Sequence, residues 1–317
     1  MWTTKMDTRP LMFFGSTSLD LCISVERFPL PGQSILGTFA HHAGGKGANQ
    51  AVAAARLGVP TLLCTRLGTD SAGEVLRRSL ETSGVIVDAI ETADGEKSGT
   101  AVVAVDAGGS NLIIRDRGTN ANISIESLHL ALLRIAQGAV VVVELGLPLP
   151  AIEFLFSQKQ HYGFELIFNP SQVKEGLSRR AWEAVDIVTS NEAEASQLTG
   201  IGVHDVETAA WAGKVLLEMG PRAVVITLGS KGAYYCDSRE AFMTPAFPVV
   251  ALYTTGAGDA FNGGLAANIA LGLPIRKAIM RASAVAALSL MRHGAQVAMP
   301  TAAAVDDFLN LVDPSGF

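Results

Sequence analysis

Four apolar runs in the second half of the chain, AVVVVEL (139–145), FELIFNP (164–170), VDIVTSN (185–191) and AVVITLG (223–229), are each separated from the next by enough residues for a helix. A strand that is apolar at successive positions has no face for water, so it must be covered on both sides. Parallel sheets with helices on either face meet that need, whereas a half-wet antiparallel sheet would show alternation. The runs therefore predict a doubly wound α/β architecture around a mostly parallel sheet. With 317 residues, 49% of them hydrophobic, and no repeat, low-complexity tract or charged linker, the whole chain 1–317 reads as one such unit.

The amino-terminal part differs. Residues 11–28, 34–43, 100–109 and 111–118 alternate more and are joined by Gly/Asp turns, and VDAGGSN (105–111) has the look of a hairpin. These segments predict a small second sheet, a lid built from stretches near 20–42 and 97–117. Helices are expected over 47–57, with Gly58 as a left-handed cap, and over 73–82, ending near Gly84.

The net charge of −6 and the lack of a long Lys/Arg run argue against a nucleic-acid partner and against an anionic membrane surface. The longest apolar runs fall far short of the ~20 residues that span a bilayer, and the start MWTTKMDTRP has no apolar export core. Cys22, Cys64 and Cys236 lack metal-ligand spacing and leave an odd count, so they read as reduced packing residues. A small-molecule substrate and a cytoplasmic location are the resulting expectations.

In an open parallel sheet, ligands sit beyond the carboxyl ends of the strands. YTTGAGDAFNGGLAANIAL (253–271) reaches such a point: small residues permit a tight turn, and the helix that starts there aims free N–H groups at an anion. Asp259 is open to two readings, a carboxylate favoured at any helix amino terminus or a base that takes a proton from an attacking hydroxyl. The helix end should lower its pKa and make it a weak base, an objection softened where positioning and charge stabilisation dominate. Asn191 and Glu194 in TSNEAEASQLTG (189–200) suit either a capping box or a holder for magnesium and phosphate oxygens. ITLGSKGAYY (226–235) is either a plain hairpin or a glycine-lined nucleotide wall. The loop HHAGGKGANQ (41–50) fails as a Walker A motif because Lys46 is followed by Gly47, and it lacks the GxGxxG spacing of a dinucleotide site. His41 and His42, adjacent on a strand, point to opposite faces and do not share a metal.

Taken together, GSTSLDL (15–21), PGQSILG (31–37), GGKGANQAVAAARLG (44–58), GTNANIS (118–124), VVVELGLP (141–148), NPSQ (169–172), NEAEASQLTG (191–200), TLGSKGA (227–233), TTGAGDAFNGGL (254–265) and RHGAQ (292–296) resemble, in order, the ribokinase-like (PfkB) carbohydrate kinases. The resemblance implies a three-layer α/β/α fold with a mostly parallel sheet and a small β lid that serves as a homodimer interface. It implies transfer of the ATP γ-phosphate to a primary hydroxyl of a small sugar, D-ribose first, with another sugar or a nucleoside as the alternative. By motif, Asp259 becomes the base and Gly256, Ala257 and Gly258 the anion hole. Asn191 and Glu194 become the phosphate and magnesium-water contacts, Thr227, Gly229, Gly232 and Gly258 line the nucleotide, and Ser283 meets the adenine. Ser18, Asp20, Gly45, Lys46, Asn49 and Glu144 grip the sugar, the loop glycines letting the backbone approach it.

Two positions depart from the family. Ser18 stands where an Asn is usual, removing an amide from the sugar site. Tyr253 replaces the Asp that helps hold a monovalent cation such as potassium, leaving Thr255 and the loop ending at Gln296 to offer oxygens. These departures motivate a second reading, a sugar or nucleoside sensor without efficient catalysis. A nucleotide-dependent dehydrogenase is a third, disfavoured by the missing GxGxxG.

Overall fold

The computed structural model describes residues 8–135, 137–170 and 176–312. Its strands, numbered along the chain, are β1 (Leu11–Phe14), β2 (Ser18–Val25), β3 (Gly37–Gly44), β4 (Thr61–Cys64), β5 (Arg66–Gly68), β6 (Glu91–Ala93), β7 (Gly99–Val105), β8 (Asn111–Asp116), β9 (Val140–Glu144), β10 (Glu165–Asn169), β11 (Ile187–Asn191), β12 (Ala223–Thr227), β13 (Ala233–Asp237) and β14 (Ala241–Thr244). The helices are α1 (Lys46–Arg56), α2 (Ser71–Thr82), α3 (Ile125–Leu132), α4 (Leu149–Tyr162), α5 (Arg179–Ala184), α6 (Glu192–Thr199), α7 (Val206–Met219), α8 (Ala257–Ala270), α9 (Ile275–Leu290) and α10 (Ala302–Val312).

The continuous apolar runs become strands whose successive residues feed two separate cores. Leu11, Phe13, Val140 and Val142 face one core with α1, α8, α9 and α10, while Met12, Phe14, Val141 and Val143 face the other with α3 to α7. The result is a three-layer α/β/α fold on an eight-stranded sheet in the order β14-β13-β12-β11-β10-β9-β1-β4. From β4 to β12 the strands are parallel, and β13 and β14 close one edge antiparallel. Register brings the polar strand ends into line, Glu144 beside Asn169 and Asn191 beside Thr227. Among the described residues no helix is long and apolar enough to cross a membrane.

The predicted helix at 47–57 runs from Lys46 to Arg56 with Gly58 at φ +81° beyond it. The one at 73–82 starts earlier, at Ser71, because the Asp70 carboxylate accepts from the Gly73 amide and caps it. β12 and β13 form an antiparallel hairpin over 226–235, where Gly232 is fixed by crowding: at φ +112° its Cβ would lie 2.0 Å from the Thr244 carbonyl oxygen.

The second sheet has the order β3-β2-β7-β8 and contains the predicted hairpin at VDAGGSN. Its pairings put His42, Asp20, Ala101 and Arg115 in one row on one face. Leu21, His41, Val102 and Ile114 form a row on the other, so the two histidines do diverge.

Candidate active site

The loop that opens α1 is shaped by the chain it crosses. A Cβ on Gly45 (φ +92°) would sit 2.5 Å from the Thr17 Cα, and one on Gly47 would sit 2.6 Å from the Gly15 Cα. The β1–β2 loop packs against both glycines so closely that no side chain fits at either. Glu144, 2% exposed, fixes the same loop: its carboxylate accepts from the amides of Ser16 and Gly146. Asn120 clamps Thr17 from the other side, accepting from its amide at 2.9 Å and donating to its carbonyl at 2.8 Å.

So anchored, α1 presents Lys46, Asn49 and Gln50 on one face, as spacings of three and four residues require. Asn49 Nδ2 donates to Asp259 Oδ2 at 2.9 Å, and Gln50 Nε2 donates to Asp259 Oδ1 at 3.2 Å and to Asn169 Oδ1 at 3.2 Å. Asp259 is the third residue of α8, whose amino-terminal cap is Gly256 at φ +88° with no side chain capping it. The first-turn amides of α8 thus belong to the set a helix leaves without an internal acceptor. A Cβ on Gly258 would meet nothing within 4 Å, so the space beside it is open.

The Asp259 carboxyl does not follow the expected downward shift. Burial pushes its pKa up to about 6, outweighing the Lys46 charge and the Asn49 and Gln50 hydrogen bonds, with the Glu144 charge adding to the rise. The helix end is a surface effect; at 9% exposure, desolvation dominates.

Across the cleft, Asn191 and Glu194 make both bonds of a capping box, Glu194 N to Asn191 Oδ1 at 2.8 Å and Asn191 N to Glu194 Oε2 at 3.0 Å. The other Glu194 oxygen is free of that duty and meets Lys46 Nζ at 3.2 Å. Lys46, assigned above to the sugar, thus lies against the residue assigned to the phosphates. Lys46, Glu194, Asn169, Ser190, Asn191, Thr227, Gly256, Gly258, Asp259 and Asn262 line one cavity of about 200 Å3. Four buried polar atoms have no protein partner here, Ser190 Oγ and Asn262 Oδ1 on lining residues and Asn49 Oδ1 and Gln50 Oε1 on the two residues that hold Asp259. Such atoms cost about 1–3 kcal/mol each when left unpaired, so the lining is built for a polar guest. Of the two carboxylates in the lining, Glu194 would suit a magnesium ion that keeps most of its waters, leaving Asp259 to its amides.

The remaining predicted residues are spread wider. Asp20 accepts from Ser18 Oγ at 2.7 Å, and its carboxyl is held above the usual range by burial, against the Ser18 bond and the Arg115 and His42 charges. Ser283 on α9 spends its hydroxyl on the Ile279 carbonyl at 3.0 Å. Gly229 begins the turn after β12, and Thr255 is exposed in the turn before α8. Ser171 and Gln172 of the NPSQ stretch lie outside the described residues. Gln50, Asn169, Ser190 and Asn262 escaped the sequence reading. The signal for two of them was available, since Gln50 follows Lys46 by four positions and Asn262 follows Asp259 by three.

Residues 9–302 match the family described as pfkB family carbohydrate kinase. The chain is 34% identical over 302 residues to the ribokinase of Haemophilus influenzae, a match covering 95% of this chain and 98% of that protein. It is 34% identical over 305 residues to a bifunctional ribokinase/ribose-5-phosphate isomerase A of Fructilactobacillus sanfranciscensis, of which it spans 56%. Among solved structures, Arabidopsis thaliana ribokinase complexed with ribose and ATP superposes with a TM-score of 0.88 at 28% identity, covering 95% of this chain and 99% of that one. The cleft between α1, α6 and α8 accordingly sits in a chain that belongs to the PfkB family of carbohydrate kinases, enzymes that transfer phosphate from ATP to a sugar.

Proposed function

We propose that the chain phosphorylates the primary hydroxyl of D-ribose to give ribose 5-phosphate, with Asp259 as the base. The observation that carries this is Asp259 itself: a buried carboxylate of pKa about 6, oriented by Asn49 and Gln50, at the open amino end of α8. Ribose is the first choice because relatives of this similarity are ribokinases. Asp259 takes the proton as the sugar oxygen bonds to the γ-phosphorus, the bridging P–O bond breaks and ADP leaves. The amides at Gly256, Ala257 and Gly258 face the charge that spreads over the transferred oxygens. Lys46, between Asp259 and Glu194, adds a positive charge to the same place. Magnesium, held through water by Glu194 and near Asn191, would neutralise the phosphate oxygens. On the acceptor side, Asp20, Ser18 and the free Asn49 Oδ1 receive sugar hydroxyls, with Glu144 fixing the β1–β2 loop that leads into Ser18. Thr227, Gly229, Gly232 and Ser283 lie on the nucleotide side.

The second sheet also carries exposed apolar side chains on the face away from Asp20, with Phe39 at 60%, Leu112 at 47% and Ile114 at 62%. Such a patch is costly in water and suits a homodimer made lid to lid. ADP release measured with magnesium over a panel of pentoses, ketoses and nucleosides tests the reading. D-ribose is expected to give the highest kcat/KM, and turnover of none of them would sink it.

A further inference from the structure

Two loops meet under the α8 amino terminus, residues 245–256 and 290–299. The family resemblance places a monovalent cation between them, and the oxygens present do not suit one. No Asp or Glu occurs from 241 to 258, and after Asp259 the next is Asp306. Tyr253, where an acid would stand, lies near Cys22 of β2 and sets its ring 6.2 Å from that of His293, and its phenol brings no negative charge. In the second loop only Gln296 carries a side-chain oxygen, and that oxygen accepts from Ser79 Oγ at 2.9 Å. Ala298, 1% exposed, has none to offer.

The charge is also of the wrong sign. Arg292 belongs to the second loop, and Arg56, at the end of α1, reaches into it. Arg56 Nη1 donates to the carbonyls of Val297 at 3.1 Å and Met299 at 2.8 Å. A potassium ion relies on carboxylate and carbonyl oxygens to replace its water; here the charge is absent and two carbonyls are engaged. The same loop bears on the site, because Gly256 is crowded by it: a Cβ there would lie 3.2 Å from Ala295 Cβ.

We infer that this kinase works without a monovalent-cation activator, Arg56 being the fixed cation that holds the 290–299 loop against Gly256 and so positions the amino end of α8. The inference rests on the kinase reading for its activity arm only. Arg56 is a positioning residue, since it touches the loop and not the reacting atoms.

ADP release in potassium chloride against choline chloride at equal ionic strength is expected to differ by less than about twofold; saturable activation in the roughly 5- to 150-fold range of an effector coupling would overturn the inference. Thermal unfolding in the same salts needs no turnover. Equal Tm values support it, and a saturable potassium-specific rise of roughly 2–4 °C or more would overturn it. If no sugar is turned over in either salt, the substrate reading falls while the thermal comparison still decides the cation question. Arg56→Ala should lower kcat roughly 10- to 100-fold with the sugar KM little changed, as for a remote misplacement of the reacting geometry. Arg56→Lys should recover most of that loss. Unchanged kcat in Arg56→Ala, or an Arg56→Lys variant as slow as Arg56→Ala at the same Tm, would remove the positioning role.

Discussion

The two ends of the central sheet hold their charges differently. At the amino edge of the strands a cavity of about 980 Å3 is lined by Arg9, Lys159, Arg180, Arg222, Glu153, Glu165, Glu183 and Asp186, among others. At the carboxyl edge the cleft around Asp259 has about 200 Å3. Yet in the larger cavity the buried carboxylate is saturated: Asp186 accepts from the Leu166 amide at 2.8 Å and from Arg222 at 2.9 Å, and pairs in charge with Lys159 at 2.7 Å. Arg9 likewise pairs with Glu165 at 2.6 Å. In the smaller cleft, Asn49, Gln50, Ser190 and Asn262 each keep a buried polar atom without a partner. Volume therefore misleads, and polar satisfaction discriminates. A region that has met its own hydrogen-bonding needs holds the fold together; one that has not is shaped for a guest.

The sharpest way to break this contrast is Asp259→Asn. If Asp259 is the base, kcat should fall about 10²–10⁴-fold, measured as ADP release. In the parent, kcat/KM should rise as pH passes about 6, where the carboxylate forms, and the variant should lose that limb. Stability should move the other way. The folded carboxyl titrates near 6 against an ordinary 3.8, so its favourable contribution is full below 3.8 and is lost as pH rises through 6. Removing the charge should stabilise the chain above that pH, by up to about 3 kcal/mol, and by little near pH 4. The orphan Asn49 Oδ1 can turn to accept from the new amide, so the substitution need not leave two donors facing. Urea unfolding across pH reads the effect, and a destabilised variant at neutral pH would contradict it.

At the other end, Asp186→Ala should cost about 3–5 kcal/mol of stability by leaving the Leu166 amide unpaired and the Lys159 charge with only the Ala184 carbonyl, with kcat and both KM values near those of the parent in the fraction that folds. A selective loss of kcat would mean that the amino edge serves the reaction after all. Next in size is Asn49→Ala, which should raise the sugar KM roughly 10-fold while moving the ATP KM far less, in line with loss of one hydrogen bond to a buried polar partner. The reverse pattern would assign the α1 loop to the phosphates. Lys46, which pairs with Glu194, is the residue that makes that outcome worth testing.

The sheet was legible because its strands carry no wet face, and that pattern survives without knowledge of partners. The sites at strand ends were legible for a related reason: Asp259 and the Asn191/Glu194 pair sit where a strand gives way to a helix, which sequence punctuation marks. What was not legible depends on distance across the fold. The Lys46–Glu194 pair joins residues 148 apart in sequence. The glycines of GGKGANQ answer to a chain crossing at Gly15 and Thr17, which no local rule anticipates. The Asp259 pKa was misjudged in sign because the helix end is visible in sequence, whereas the burial that overrules it is a product of α1 packing against α8.

The smallest expected effect probes the saturated end most finely. The Arg222 side chain is 79% exposed, while its partner Asp186 is 6% exposed and keeps Lys159 and the Leu166 amide. An exposed guanidinium gains little from such a pair, because water screens the charge and the long side chain loses freedom to hold it. Arg222→Ala should therefore cost less than about 1 kcal/mol, a small fraction of the Asp186→Ala loss although both remove the same ion pair. That asymmetry follows from redundancy: Asp186 has three partners, and each covers for the loss of another. Asp259 has less reserve for its charge, since its two hydrogen bonds come from neutral amides and burial outweighs the nearby Lys46 charge. Equal losses from Arg222→Ala and Asp186→Ala, measured by urea unfolding, would show that Arg222 is indispensable and that the amino edge is less saturated than its geometry implies.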